Sequence, residues 1–252
     1  MRHFPRIVIG LTSVLLAILP ARVNAADHLD DANAHGFGNS ESARVGLSVG
    51  ITSGERPGIA SGAVSATSQP KENYNLIGSW LNFEYFEFWD KTRFNTLVGA
   101  EAMLSLGYIG AEKADPVRQS EPSANWSKFH GRFEGAFDYA LLHWQGGAAG
   151  RVVFGAGAGG ELGSYWHTDG GRLYPILQSR LQLFPGALAL DLAYRFIPTT
   201  TGDNAVREHR FSACLGINSF RLGAEATLLK VRTPAQEWFD STTLGGTLGI
   251  VF

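Results

Sequence analysis

From Ala43 to the end of the chain, apolar and polar residues alternate with a period of two, interrupted by short runs rich in Gly, Pro, Asn and charged residues. The alternation is clearest between Lys128 and Tyr139, where aromatic side chains fall on one face and charged or polar side chains on the other. Successive side chains of a β-strand point to opposite faces, so this period predicts strands rather than helices. The chain is therefore predicted to be all-β.

Counted in this way, the chain contains about ten strands. The predicted strands span residues 43–53, 73–90, 94–112, 127–144, 147–167, 173–184, 187–198, 207–218, 219–232 and 241–252. Within the second strand the alternation changes phase near Trp80 and Leu81, which we interpret as a β-bulge. An even number of strands is typical of bacterial membrane barrels, whose strands need about 9–11 residues to cross the bilayer.

The direction in which the apolar face points separates two all-β architectures. A soluble β-sandwich buries its apolar face in a core and shows its charged face to water. A membrane barrel turns apolar side chains toward lipid and charged side chains toward the lumen. Aromatic residues near both predicted strand ends favour the barrel, because aromatic rings are stable at the two membrane interfaces. The expected girdle residues are Phe86, Phe88, Trp89, Phe94 and Trp144 at the periplasmic edge, and Tyr108, Trp126, Tyr165, Trp166, Tyr174 and Phe196 at the outer edge.

The lengths of the connections support the same architecture. Those after the second, fourth, sixth and eighth strands are short, at residues 91–93, 145–146, 185–186 and 218–219. The others are longer, at residues 54–72, 113–126, 168–172, 199–206 and 233–240, of which the one after the fifth strand is predicted to be the shortest. Outer-membrane barrels have short periplasmic turns and longer external loops. We therefore predict a closed, antiparallel, up-and-down transmembrane β-barrel with both termini in the periplasm.

The N-terminus carries the features of a secretory signal. Residues 1–25 combine a basic start, an apolar core from Ile7 to Leu19 and small residues that end at Ala25, after which cleavage is predicted. The alternative is an uncleaved anchor, for which the apolar core is short. Residues 26–42 are polar and without periodicity, so they are predicted to be a flexible periplasmic segment preceding a barrel domain at 43–252.

The composition of the chain argues against several kinds of binding site. A single cysteine, Cys214, excludes an intramolecular disulfide and a cysteine-based zinc site. The formal net charge of −2 and the isoelectric point near 6.4 do not indicate the excess of basic residues that is typical of nucleic-acid-binding proteins. The histidines lack metal-ligand spacing, and the glycine-rich run at residues 155–160 continues as a strand instead of the helix that a nucleotide fingerprint requires. We therefore predict neither a metal nor a cofactor, and interpret the glycines as aids to close strand packing.

The chain ends on an aromatic residue preceded by apolar residues at every second place, namely Leu248, Ile250 and Phe252. In this respect it resembles bacterial outer-membrane β-barrel proteins, whose last strand closes with a terminal aromatic recognised by the barrel assembly machinery. The resemblance implies localisation in a Gram-negative outer membrane, contact with the lipid bilayer and lipopolysaccharide, and the assembly machinery as a partner during biogenesis. It implies an architecture and a location rather than an activity.

Charged residues on the predicted inward face are numerous and nearly balanced in sign. They are Glu84, Glu101, Lys128, Arg132, Glu134, Asp138, Arg151, Glu161, Arg180, Asp191, Arg195, Arg210, Arg221 and Glu225. A ring of one sign would indicate ion selectivity, whereas mixed signs in a narrow barrel indicate salt bridges that fill the lumen. On the fourth strand, Arg132, Glu134 and Asp138 are expected to meet Glu101 and Arg151 from the adjacent strands.

These features favour a structural or surface-interaction barrel with an occluded lumen. A narrow channel for small solutes or ions is the first alternative. The second is an outer-membrane protease or lipid-modifying enzyme, for which the one candidate cluster is Ser164, His167 and Asp169 at the outer end of the fifth strand. Because its spacing does not match that of ten-stranded outer-membrane proteases, we do not predict catalysis.

Overall fold

The computed structural model describes residues 40–57, 71–91, 96–111, 128–144, 149–163, 171–184, 188–198, 205–217, 219–232 and 237–251. These residues form ten strands. The strands are β1 (Ser40–Pro57), β2 (Lys71–Lys91), β3 (Thr96–Ala111), β4 (Lys128–Trp144), β5 (Ala149–Gly163), β6 (Arg172–Phe184), β7 (Leu188–Ile197), β8 (Ala205–Ile217), β9 (Phe220–Arg232) and β10 (Trp238–Val251). Within the described ranges, no helix is long and apolar enough to cross a membrane.

The ten strands form one closed antiparallel barrel in which each strand pairs with its neighbours in sequence. Pairing of β1 with β10, from Arg44↔Val251 to Gly54↔Ser241, closes the sheet. This confirms the predicted fold class. Closure also leaves none of the ten described strands at the edge of the sheet.

The connections define two different ends of the barrel. The end that holds the first residue of β1 and the last residue of β10 has connections of two to four residues, at 92–95, 145–148, 185–187 and 218–219. We call it the terminal end. The opposite, loop end has the longer connections, at 58–70, 112–127, 164–171, 198–204 and 233–237. The shortest of these follows β9 rather than β5, contrary to the prediction, because β10 begins at Trp238 and β5 ends at Gly163.

The outer face of the barrel is apolar. Phe137 near the middle of β4 is 74% exposed, and Leu173 near the loop end of β6 is 78% exposed. Buried positions in turn include many charged side chains, among them Glu161, Glu208 and Arg210. A water-soluble fold would show the reverse distribution, because transfer of apolar surface from water is the main driving force of folding. The barrel is therefore suited to a surrounding of lipid.

The bulge predicted in β2 is wrong. Pairing of β2 with β1 runs without a shift from Ser40↔Phe88 to Pro57↔Lys71. Side chains of β2 alternate between the two faces along its whole length. The polarity pattern changes phase only because β2 carries apolar side chains on both faces. Between β4 and β5 a register shift does occur, at Ala140 and Leu142, and it leaves Leu141 and Leu142 both exposed on the outer face.

The girdle prediction is wrong for three aromatic residues. Phe86 and Phe88 are 3% and 0% exposed and pack inside the barrel with Ala140 and Val153, and Tyr174 is also buried. The reason for Phe86 and Phe88 is again the unbroken alternation of β2, which places even-numbered residues inward. Tyr108 is exposed on the outer face, and Phe196 is partly buried with its ring 4.9 Å from that of His209. The side chains of the remaining girdle residues lie outside the described part: Trp89, Phe94, Trp126, Trp144, Tyr165 and Trp166.

Candidate functional site: the charged lumen

The loop-end half of the lumen contains two buried carboxylates bridged by two arginines, a set that we call the loop-end cluster. Arg132 on β4 donates from Nη1 to Glu208 Oε1 at 3.0 Å and from Nη2 to Glu161 Oε2 at 3.2 Å. Arg172, at the start of β6, bridges the same two carboxylates at 2.9 Å and 3.0 Å. Nε2 of His130 lies 3.0 Å from Glu161 Oε1. Each glutamate thus contacts both of these guanidinium groups.

A second set lies near the middle of the barrel, and we call it the central cluster: Glu101, Glu134, Arg180, Arg195 and Arg210. Arg195 on β7 bonds Glu101 on β3 and reaches Glu134 on β4 at 3.0 Å. Arg210 on β8 donates from Nη1 and Nη2 to the two oxygens of Glu134, both at 3.0 Å. Nη1 of Arg180 lies 3.0 Å from Glu101. Such bidentate, charge-assisted contacts are the stronger kind of hydrogen bond.

The two clusters are continuous. Nη2 of Arg210 lies 2.9 Å from Glu208 Oε1, so one guanidinium belongs to both. The hydroxyl of Tyr174 donates to Glu134 at 3.0 Å, which gives this buried phenol its partner. Continuity matters because each buried charge then has several opposite charges and hydrogen bonds around it, as burial of ions requires.

Toward the terminal end, the network centres on Asp191 of β7. It accepts hydrogen bonds from Arg44 Nη1 and from Gln182 Nε2, both at 3.1 Å, and Nε of Arg180 lies 3.3 Å away. Arg44 also lies 3.6 Å from Glu84, which is on the adjacent strand β2. Asp191 therefore ties β1 to the opposite wall of the barrel.

Two further predicted residues have neutral partners. Asp138 accepts a hydrogen bond from Gln178 Nε2 at 2.6 Å. Arg151 donates from Nε to Gln182 Oε1 at 2.5 Å, and its guanidinium lies 3.9 Å from the centre of the Phe88 ring. A cation over an aromatic face is stabilised by the ring quadrupole. Arg151 therefore joins the polar network to the apolar cluster at the terminal end.

The structure differs from the pairs expected on strand four. Arg132 contacts Glu161 on the adjacent strand β5, which is its ladder partner, and Glu208 on the opposite wall. Arg151 donates a hydrogen bond to Gln182 on β6. Long guanidinium side chains reach across the lumen, so the opposite wall supplies part of the partners. The side chain of Lys128 lies outside the described part.

The predicted set of inward charged residues did not include seven described residues that take part in the network. They are Arg44, His130, Arg172, Tyr174, Gln178, Gln182 and Glu208. The alternation had already placed His130, Gln178 and Gln182 on the polar faces of their strands. The spacing of Glu208 and Arg210, two residues apart on one strand face, contained the signal for Glu208. Arg44 and Arg172 lie at or near the predicted strand starts, where alternation has few neighbours from which to be recognised.

Beside the network lies a cavity of about 180 Å³. Its wall on β1, β9 and β10 consists largely of small side chains, including Gly46, Ser48, Gly223, Thr243, Gly245, Thr247 and Gly249. Ser48 Oγ lies 2.7 Å from Thr247 Oγ1 and accepts a hydrogen bond from Asn82 Nδ2. Arg221 and Glu225 line the cavity too, with Arg221 Nη1 donating to the Phe220 carbonyl oxygen and Glu225 accepting from Thr227 Oγ1.

The remaining predicted site residues either lie outside the described part of the chain or face away from the lumen. Ser164, His167 and Asp169 lie outside the described residues, as does Phe252. Leu248 and Ile250 are exposed on the outer face of β10. In the described part of the chain, no group of three or more His, Cys, Asp or Glu side chains could hold a metal ion. Cys214 is a free thiol that lines the cavity.

Solved structures similar to this fold are bacterial outer-membrane β-barrel proteins. An outer-membrane channel from Pseudomonas putida F1 is 11% identical, covering 84% of this chain and 96% of that one, with a TM-score of 0.36. The outer-membrane protease OmpT from Escherichia coli is 9% identical with the same coverage and a TM-score of 0.39. The attachment invasion locus protein Ail of Yersinia pestis is 12% identical, covering 83% and 99%, with a TM-score of 0.29. No protein-family model and no curated protein matches the chain.

Proposed function

We propose that the protein is an outer-membrane barrel whose lumen is occluded by ion pairs between opposite walls, and that it serves a structural or surface-interaction role. The observation that carries the proposal is the set of contacts that cross the lumen. Arg132 and Glu208 join β4 to β8, Arg195 joins β7 to Glu101 on β3, and Arg44 joins β1 to β7. Side chains that meet from opposite walls occupy the space through which a solute would pass.

The two faces of the barrel support the proposed location. Its outer face carries a band of exposed leucine, phenylalanine and valine, whereas its inner face is charged. The backbone is satisfied by ladder pairing around a closed sheet, as a spanning segment in lipid requires. Short connections at the terminal end support an orientation with both termini in the periplasm and the loop end outside.

Three finer parts of the proposal rest on the sequence. Residues 1–25 would direct export, Phe252 would be recognised by the barrel assembly machinery, and the outer leaflet would place lipopolysaccharide against the loop-end half of the barrel. The first two concern residues outside the described part. All three parts lead to the same expectation: the protein should be recovered from the outer-membrane fraction of a Gram-negative cell.

A narrow channel is the second candidate, and the cavity is the observation that favours it. The cavity has room for water, and Glu84 and Glu225, which line it, keep 32% and 41% of their side chains accessible. A conformation that connected this cavity to the loop end would conduct.

Planar-bilayer recording of the full barrel separates the two candidates. Insertion is verified in parallel by protease protection of the same preparation in liposomes. An occluded barrel inserts and gives no current above the background of the bilayer. Regular current steps from the inserted native protein would overturn the occluded lumen and establish the channel.

A further inference from the structure

The cavity beside the charge network has an asymmetric charged lining. Six arginines contribute to it but only three carboxylates, Glu84, Asp191 and Glu225. The arginines are Arg44, Arg132, Arg180, Arg195, Arg210 and Arg221. The lining is therefore richer in positive than in negative groups, although the inward charges of the whole barrel are nearly balanced.

Part of the asymmetry comes from ion pairs that contribute one member to the lining. Glu101, Glu134 and Glu208 are 6%, 5% and 1% exposed and do not line the cavity. The arginines that contact them do line it, namely Arg132, Arg180, Arg195 and Arg210. In these pairs the guanidinium group and not the carboxylate therefore borders the cavity.

The same arginines offer more hydrogen-bond donors than the carboxylates take up. A guanidinium carries five N–H donors and no acceptor. Nε of Arg44 and Nε of Arg132 are buried and find no acceptor among the described residues. These two atoms are inaccessible to solvent, as is Oδ1 of Asp191, which also finds no hydrogen-bond partner among the described residues. A ligand in the cavity would therefore meet the other N–H groups of the lining arginines rather than these two.

Much of the cavity lies in the terminal half of the barrel. Its lining on β1 and β10 runs from Arg44 to Ser48 and from Thr243 to Ile250. Toward the loop end, β8, β9 and β10 carry Val206, Val231 and Phe239, each at most 1% exposed. These buried apolar side chains disfavour entry of an anion from the loop end along these strands.

We propose that this cavity is a binding site for small oxyanions, entered from the terminal end. Its volume of about 180 Å³ exceeds the roughly 30 Å³ that a water molecule occupies in the liquid, so it has room for a small anion with some of its water. Oxygen atoms of a phosphate-like group accept several N–H donors at once, and guanidinium groups match that geometry. The inference rests on the occluded lumen proposed above, because an open pore would not retain the ligand.

The test is equilibrium dialysis of radiolabelled inorganic phosphate against the full barrel in neutral detergent, at constant ionic strength set with chloride. Saturable binding of one phosphate per barrel is expected. Arg221→Gln should weaken it about fivefold and Glu225→Gln should strengthen it about fivefold, because each changes the charge facing the anion by one unit at a solvent-accessible site. Opposite effects of the two charge neutralisations are not expected from a general loss of stability.

Two further variants locate the site. Ser212→Phe fills the cavity without altering its charge and should abolish binding, since Ser212 lines the cavity. Arg207→Gln removes a cation from the exposed outer face and should leave binding unchanged. Absence of saturable binding, or binding that Ser212→Phe leaves intact, would overturn the inference. Bilayer current is a separate readout that concerns only the occlusion.

Discussion

Arg132 on β4 and Glu208 on β8 form an ion pair across the lumen, 3.0 Å apart, although three strands separate them around the barrel. Glu208 is 1% exposed, so water does little to solvate it. The pair therefore connects opposite walls of the barrel. Each charge is stabilised by the other.

Arg132→Leu should accordingly destabilise the barrel. Removing one partner of a buried pair costs about 3–5 kcal/mol, because the remaining charge loses its counter-ion without gaining water. Here Arg172 still contacts both Glu161 and Glu208, so the loss is expected at the lower end of that range. Unfolding of the native protein and the variant by urea in lipid vesicles gives the free-energy difference.

A second substitution tests the mechanism of that loss. In Arg132→Leu combined with Glu208→Leu, the stranded carboxylate is gone, and part of the lost stability should return. Lys230→Leu is the control, because Lys230 is 53% exposed on the outer face and should change stability by less than about 1 kcal/mol. If Arg132→Leu alone unfolds like the native protein, the lumen is hydrated enough to solvate the charge.

The strands could be predicted from the sequence because the two faces of this sheet meet opposite solvents. Where one face is charged and the other apolar, as at Arg132 and Phe133, the alternation can be recognised in the amino-acid sequence. It fails in β2, where Phe86 and Phe88 are apolar yet face inward and only the pairing register reveals the direction.

The partners of the charged residues could not be predicted in the same way. The alternation in the sequence can predict that a residue such as Arg132 or Glu208 faces inward. Whether the two side chains meet depends on the tilt of the strands and the width of the lumen. Arg195 is a second example, since it bypasses its neighbours in the ladder and reaches Glu101 on β3 and Glu134 on β4. These contacts need the closed barrel before they can be seen.

The apolar side chains at the loop-end side of the lumen give a prediction about conductance. Phe239 and Val231 are 0% and 1% exposed and lie nearer to the loop end than most of the cavity lining. Replacing both by Ser should hydrate this region but leave the barrel without current, because the ion pairs between opposite walls still occlude the lumen. Leu244→Ser on the exposed outer face of β10 is the matched control and should also stay silent. Current from the double variant alone would place the barrier in these apolar side chains instead of the charge network.

The glycines of β5 predict a steric effect. A Cβ added at Gly157 would overlap the carbonyl oxygen of Gly135 and lie 2.6 Å from Ala136 Cα, both backbone atoms of β4. Gly157→Ala should therefore destabilise the barrel by about 1–3 kcal/mol, as other overpacking substitutions do. Gly246→Ala is the matched control, since its nearest contact would be at 3.8 Å. Equal stability of the two variants in urea would contradict close packing of β4 against β5.

The terminal aromatic predicts an effect on assembly rather than on the finished barrel. If Phe252 is recognised by the assembly machinery, its deletion should lower the membrane-inserted fraction in cells, while unassisted folding into detergent should change little. Quantitative immunoblotting of membrane fractions measures the first, and heat-modifiable gel mobility measures the second. An unchanged inserted fraction in cells would contradict the proposed role of Phe252.

Depth in the bilayer gives the sharpest test of location. Phe137, near the middle of β4, is 74% exposed, and its ladder partners Ala100 and Ala156 are also lipid-facing in the proposed orientation. Phe137→Arg should destabilise the barrel in lipid vesicles by about 2–4 kcal/mol, because an arginine at the bilayer midplane loses most of its hydration.

Leu173→Arg supplies the matched comparison, because Leu173 is 78% exposed but is the second residue of β6, at the loop end. An arginine near the interface reaches water and headgroups, so this variant should lose only about 0–1 kcal/mol. The difference between the two variants should appear in vesicles and shrink in small, flexible detergent micelles, where water is closer to every position. Equal losses at the two positions in vesicles would mean that the apolar band does not span a bilayer as proposed, since exposure alone is similar at both sites and depth is what separates them.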